Sequence, residues 1–173
     1  MRRPEPRDFE RFLKEEDYIV SKTDLKGRIT YCNKTFIEIS GYSEEELLGA
    51  PHSILRHPDM PKIVFKLLWE RIQNRQEIFA FVKNLCKDGG FYWVFANVTA
   101  TVDPDGNIRD YHSVRRKPSR EGVKVMESIY KRLLEEERRG GMEASASMLE
   151  TILESEGTDY DKFVNSLQKP KTA

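Results

Sequence analysis

The stretch Ile29-Thr-Tyr-Cys-Asn33-Lys-Thr-Phe36-Ile-Glu-Ile-Ser40-Gly41-Tyr42-Ser43-Glu-Glu-Glu46-Leu47-Leu-Gly49 decides the fold of this chain. Ile29 to Cys32 has the β-branched and aromatic content of a strand. Asn33 is a favoured helix N-cap, and Phe36, Ile37 and Ser40 recur at the spacing of one helical face. Gly41 stands where a helix end takes a left-handed residue. Ser43 and Glu46 form a capping box, and Tyr42 and Leu47 are spaced to staple it. A second, very short helix therefore follows, and Gly49 closes it.

Working outward, Tyr18 to Thr23 reads as a strand and Asp24-Leu-Lys-Gly27 as a turn, so the quoted stretch begins on the returning arm of a β-hairpin. Residues 50–60 form a loop. Pro61 opens a helix over 61–73, with Phe65, Leu68, Trp69 and Ile72 on its buried stripe. Three strands follow at 78–86, 91–102 and 107–116, joined by Lys87-Asp-Gly-Gly90 and Asp103-Pro-Asp-Gly-Asn107. The order predicts an α+β fold, a five-stranded antiparallel sheet with short helices across one face. Phe9, Phe12 and Leu13 predict an amphipathic N-terminal helix. Val123, Met126, Ile129, Tyr130, Leu133 and Leu134 predict a helix to about Arg139, broken at Gly140-Gly141, with further helices over 143–155 and 159–168. The chain thus divides into an N-terminal cap (1–16), a core domain (17–117) and a helical extension (118–173).

Composition narrows the function. The 173 residues carry 29 basic and 29 acidic side chains, a formal net charge of zero. That balance argues against nucleic acid or an anionic membrane surface as the partner. No apolar run approaches the roughly 18–20 residues that span a bilayer, and the charged N-terminus is no signal peptide, so direct membrane insertion is not expected. The expected location is the cytoplasm, with any membrane association made through a partner. Cys32 and Cys86 form no metal-binding or redox spacing. The sequence has no GxSxG, Walker, HExxH or GxGxxG motif, so the expectation is a sensor and not an enzyme.

Together with Lys87-Asp-Gly-Gly-Phe-Tyr92-Trp93-Val94, the opening stretch resembles the PAS-domain signature, over residues 17–117. A narrower resemblance lies in Pro51-His52-Ser-Ile-Leu-Arg56-His57-Pro58-Asp59-Met60-Pro61-Lys62, in Val82-Lys83-Asn84 and in Tyr92-Trp93-Val94-Phe-Ala96-Asn97. These are similar to the aerotaxis-receptor subfamily of PAS domains. The resemblance implies non-covalent FAD, with contacts at Asn33, Arg56, His57, Asp59 and Asn84. It implies a redox or energy sensor that signals to a separate, membrane-bound, methyl-accepting chemotaxis-type transducer, because residues 118–173 carry no output segment of their own.

The residue chemistry agrees with that implication. Arg56 and His57 suit a pyrophosphate, and the Asn84 amide suits the edge of an isoalloxazine. Trp69 is available as an aromatic wall. A structural reading of the same loop has Asp59 cap the next helix and pair with Arg56. The chain departs from the subfamily at Ile78, where relatives usually carry Trp. Strand alternation puts Ile78, Ala80, Val82 and Asn84 on one face, so Phe79 and Phe81 cannot replace that ring. Two alternatives stay open: a haem gas sensor ligated through His52, His57 or His112, and a cofactor-free interaction adaptor. Neither cysteine fits the photoactive motif of LOV domains. The outward face of the central strand, with Phe91, Trp93 and Phe95, needs cover from the N-terminal segment, from a second copy in a homodimer, or from a partner. The post-domain helices are expected to serve as a docking or dimer element.

Overall fold

The structure, a computed structural model, describes residues 2–169; the ends of the two expected extensions, residue 1 and residues 170–173, lie outside it. At its centre the Asn33 side-chain oxygen accepts from Phe36 N–H at 3.2 Å and from Val20 N–H at 3.0 Å. One residue therefore starts a helix and ties it to the neighbouring strand. The capping box at Ser43 and Glu46 closes in both directions. Gly41 takes the left-handed conformation, at φ 77°.

The hairpin is β1 (Tyr18–Thr23) and β2 (Ile29–Cys32), followed by α1 (Lys34–Ser40), α2 (Glu44–Leu47), a 3₁₀ turn at His52–Leu55 and α3 (Lys62–Gln73). β3 (Ile78–Leu85), β4 (Phe91–Val102) and β5 (Ile108–Arg116) complete a sheet of order β2-β1-β5-β4-β3, antiparallel at every step. α4 (Arg120–Ser155) and α5 (Tyr160–Gln168) end the described chain. The layers follow from strand alternation. Val82, Asn84, Ala96 and Val98 face inward beneath α3. Phe79, Phe81, Trp93 and Phe95 face the other way, with Phe95 stacked on Phe79.

That outer face is covered by the chain's own C-terminal helices, a cover absent from the sequence expectations. Tyr130 of α4 stacks on Trp93 and donates its hydroxyl to Phe81 O at 2.6 Å. Tyr160 of α5 donates to Phe79 O at 2.7 Å. The helix breaks where expected, at Gly140 and Gly141, and Gly141 has a φ of 72° that favours glycine. The second limb turns back on the first, so that Ser145 Oγ reaches Glu137 and Arg132 reaches Met148 Sδ. The result is an αα-hairpin laid across the sheet.

The expected N-terminal helix is not formed. β4 runs past its last pair with β5, Phe95↔Arg116, and leaves the backbone of its first residues without a partner on that side. Residues 7–11 fill the gap: Arg7 N–H donates to Gly89 O, Phe91 N–H to Phe9 O and Arg11 N–H to Phe91 O, at 2.8–2.9 Å. Unpaired sheet backbone outcompetes a short isolated helix, and Pro4 and Pro6 weaken the helix further. Of the apolar triplet read as a helical face, Leu13 is buried while Phe9 and Phe12 stay exposed.

Candidate functional site

The inner sheet face, α3 and the turn around His52 enclose a cavity of about 370 Å³, inside the roughly 300–1,000 Å³ usual for ligand pockets. α3 supplies an apolar wall of Phe65, Leu68, Trp69 and Ile72, the stripe read from the sequence. Trp69 meets Tyr111 of β5 edge-on, with ring centroids 5.4 Å apart. Its ring would lie 3.1 Å from a Cβ at Gly27, so the hairpin turn needs glycine there for this close approach.

Opposite that wall the lining is cationic. Arg115 on β5 is 2% exposed. Its Nη2 donates to Ser21 Oγ at 2.5 Å and its Nη1 to His52 Nε2 at 3.2 Å, while its guanidinium lies 4.6 Å from the centre of the Phe36 ring. Among the described residues no carboxylate pairs with it, and its Nε has no hydrogen-bond partner. Burial pulls its pKa down to about 10. Arg56 stands at the mouth, half-buried, 3.9 Å from the centre of the Phe65 ring, and its Nε is also unpartnered. Burial lowers its pKa as well. Buried cations without counter-charge are costly, so this arrangement suits an anionic or electron-rich occupant.

His52 is the polar pivot of the cavity. Burial, and then repulsion from Arg115, bring its pKa down to about 3, so the ring is neutral. Arginine only donates, so Nε2 is the acceptor and the ring proton resides on Nδ1. The Ser21 hydroxyl can donate to the same nitrogen at 3.3 Å. Asn84, 4% exposed, brings a primary amide into the lining. In register with it on β4, the buried Tyr92 hydroxyl has no well-formed hydrogen bond among the described residues, and burial raises its pKa.

Residues 56–60 run along the free edge of β3. Arg56 forms an isolated antiparallel bridge with Asn84, and Lys83 N–H points at Met60 Sδ at 3.3 Å. Extended backbone sends successive side chains to opposite sides. Arg56 therefore enters the cavity, while His57 turns to the outer side. There His57 is buried edge-on to Phe91, and its Nδ1 accepts Asp59 N–H at 3.0 Å. Burial and the neighbouring Lys83 lower its pKa to about 4, against the opposing pull of Asp59. Asp59 pairs with Lys83 at 2.8 Å.

Of the residues singled out from the sequence, Arg56, Trp69 and Asn84 line the cavity, whereas Asn33, His57 and Asp59 do not. The Asn33 amide is spent on Tyr18 O, Val20 N–H and Phe36 N–H. The structural reading of Asp59 is also corrected: it neither pairs with Arg56 nor caps α3, whose first N–H groups go to Glu137. His52 and His112 line the cavity. Ile78 is fully buried against Val98 and does not reach the cavity, so Phe65, Trp69 and Tyr111 provide its aromatic surface. Cys32 and Cys86 are buried elsewhere. Sequence reasoning missed Arg115, the most buried charge of the site. Its signal was the alternation Tyr111, Ser113, Arg115, which puts a cation on the inward face of β5.

Comparison with known proteins places these features. The PAS-fold family model matches residues 7–114. The aerotaxis receptor of Escherichia coli (strain K12) is 40% identical over 121 residues, which cover 70% of this chain and 24% of that protein. A nitrogen fixation regulatory protein of Klebsiella pneumoniae is 28% identical over 104 residues, 60% of this chain and 21% of its own. The chain thus spans about a quarter or less of the length of these curated relatives. Among solved structures, the dark structure of the blue-light photoreceptor Aureochrome1 LOV superposes with a TM-score of 0.56 at 27% identity, covering 62% of this chain and 80% of that one. A light-oxygen-voltage domain studied with a flavin analogue, 23% identical, has the same fold with a TM-score of 0.56, over 63% of this chain and 82% of that one.

Proposed function

The chain belongs to the PAS-fold family, and from that premise we propose that its cavity binds FAD and that the protein is a non-enzymatic redox sensor of the aerotaxis type. It works in the cytoplasm and hands its state to a separate, membrane-bound, methyl-accepting chemotaxis-type transducer. Among the described residues no helix is long and apolar enough to cross a membrane. The observation that carries the reading is Arg115, a nearly inaccessible guanidinium with no carboxylate beside it among the described residues, opposite an aromatic wall. Similarity to the aerotaxis receptor adds weight.

The residues fit a flavin on the chemistry of their donor set. Among the described residues, the Nε atoms of Arg56 and Arg115 and the Tyr92 hydroxyl are buried polar groups without a hydrogen-bond partner. A bound flavin supplies reversible electron uptake. Arg56, at the mouth, suits a phosphate. Trp69 and Tyr111 confine a planar ring, and the Asn84 amide offers both donor and acceptor to its polar edge. Arg115 maintains a positive potential in a low-dielectric interior, which favours the more electron-rich state of whatever it faces. The neutral His52 and Ser21 hold that guanidinium in place.

The absorption spectrum of the purified protein tests the assignment. Two flavin bands, one in the near ultraviolet and one in the blue, are expected, and Arg56→Ala and Asn84→Ala should each reduce flavin retention by about tenfold, the loss of one charge-assisted or buried hydrogen bond. Protein that stays colourless after incubation with excess FAD overturns the reading. A Soret band would establish haem instead.

A further inference from the structure

Any occupant of the cavity touches α3, and the C-terminal helices hold α3 at both ends. Its first turn lacks a side-chain cap of its own, because Pro61 occupies the N-cap position. Lys62 N–H and Ile63 N–H donate instead to the two oxygens of Glu137 on α4, at 3.1 and 3.3 Å. The same carboxylate accepts from Ser145 Oγ at 3.3 Å, on the limb that returns after the Gly140-Gly141 break. Glu137 therefore joins three helical segments. At the other end, Arg71 in the last turn of α3 donates to both oxygens of Asp161 in α5, at 2.9 and 3.2 Å. Between these two anchors lie Phe65, Leu68 and Trp69, three of the side chains that wall the cavity.

Other polar anchors of these helices go to the sheet, where Tyr130 and Tyr160 bond to carbonyls of β3, and to the N-terminal segment, where Arg120 pairs with Glu10 at 2.8 Å. The extension thus grips the domain on a strand, on the N-terminal segment and on a cavity wall. A ladder strand, paired along its length, is stiff. A helix whose ties to its neighbours are apolar packing and polar contacts near its two ends has the greater freedom to shift as a unit.

We propose that the C-terminal helices are coupled to the cavity through α3, with Glu137 and Asp161 as the link. A displacement of α3 by an occupant is passed to residues 120–168, and the position of those helices in turn sets the affinity for the occupant. The two effects are equal by thermodynamic reciprocity. The inference rests on the flavin reading for the identity of the occupant and not for the route.

Amide hydrogen exchange of the full chain tests it, with and without FAD, in the wild type and in a Glu137→Ala/Arg71→Met double variant. In the wild type, FAD should change exchange at residues 131–139 and 160–168. In the double variant the change should stop at α3, and FAD affinity should differ from wild type by about fivefold or more, the lower end of ordinary coupling. Tyr130→Phe, which weakens the sheet grip alone, should leave the transmission intact and so separates coupling from loss of docking. An Ala96→Leu variant without ligand fills the cavity from β4 and serves as an occupant that needs no flavin. Its exchange pattern over 131–139 should match that of the loaded wild type. If FAD does not bind, the flavin reading fails and the Ala96→Leu arm decides the coupling alone. Exchange over 120–168 that ignores both FAD and Ala96→Leu, or responds equally in the double variant, overturns the proposal.

Discussion

At the scale of single residues, Arg115 sets the character of the site. It is held by Ser21 and His52, neither of which carries charge to offset it. An isolated buried cation opposes folding, so removing it should help the ligand-free protein. Arg115→Met, similar in length and apolar, is expected to raise ligand-free stability by about 1–2 kcal/mol, within the range seen when buried ions are replaced by hydrophobes. Flavin retention should fall at the same time. Urea unfolding without ligand gives the sign, and a net loss of stability would mean that the hydrogen bonds to Ser21 and His52 outweigh desolvation. The site was only half legible in the sequence for a related reason. Arg56 and Asn84 sit in motifs that draw attention to them. Whether His57 and Asp59 accompany Arg56 into the cavity depends on the backbone being extended at residue 56, which pairing with the edge of β3 decides. No local pattern encodes that pairing.

At the scale of elements, the contact between α4 and β3 depends on one missing side chain. A Cβ at Gly122 would come within 2.4 Å of the Phe81 ring and 2.6 Å of Ser119 Oγ. Glycine to alanine in a free helix gains about 1 kcal/mol, whereas overpacking a buried contact costs about 1–3 kcal/mol. Gly122→Ala should therefore destabilise by up to about 2 kcal/mol and accelerate amide exchange at the start of α4. Unchanged exchange there would show that Phe81 can step aside. The strands, turns and caps of the core were readable because each is set by neighbours within a few residues, as at Asn33, Ser43 and Gly41. The N-terminal segment was not. Its Phe9, Phe12 and Leu13 spacing is helical, but its conformation is imposed by β4 backbone some eighty residues away. The surface that α4 covers was not legible for the converse reason: the helix and its break were plain, but not the face it would pack on.

For the whole molecule, acid is the main threat to stability. His52 and His57 are both neutral in the fold, with pKa values lowered from 6.5 to about 3 and about 4. In the unfolded chain each takes up a proton as the pH falls through about 6.5. The unfolded state then binds more protons, so stability is complete above that pH and declines below it until the folded-state values are reached. Each histidine contributes a slope of up to about 1.4 kcal/mol per pH unit. Carboxylates held low by hydrogen bonds, such as Asp24 and Glu46, extend the loss to lower pH. Unfolding free energies at pH 7.5 and 5 should show the decline, and His52→Gln should flatten it; a pH-independent profile would refute the neutral assignment. The N-terminal segment bears on association as well as folding. By lying in the notch beside β4 it blocks the place where a foreign strand would add to the sheet. Being tethered, it competes at an effective concentration of the order of millimolar. A diffusing peptide would have to approach that concentration to enter, so this notch is closed to casual strand exchange while remaining open to any partner that first pulls the tether away.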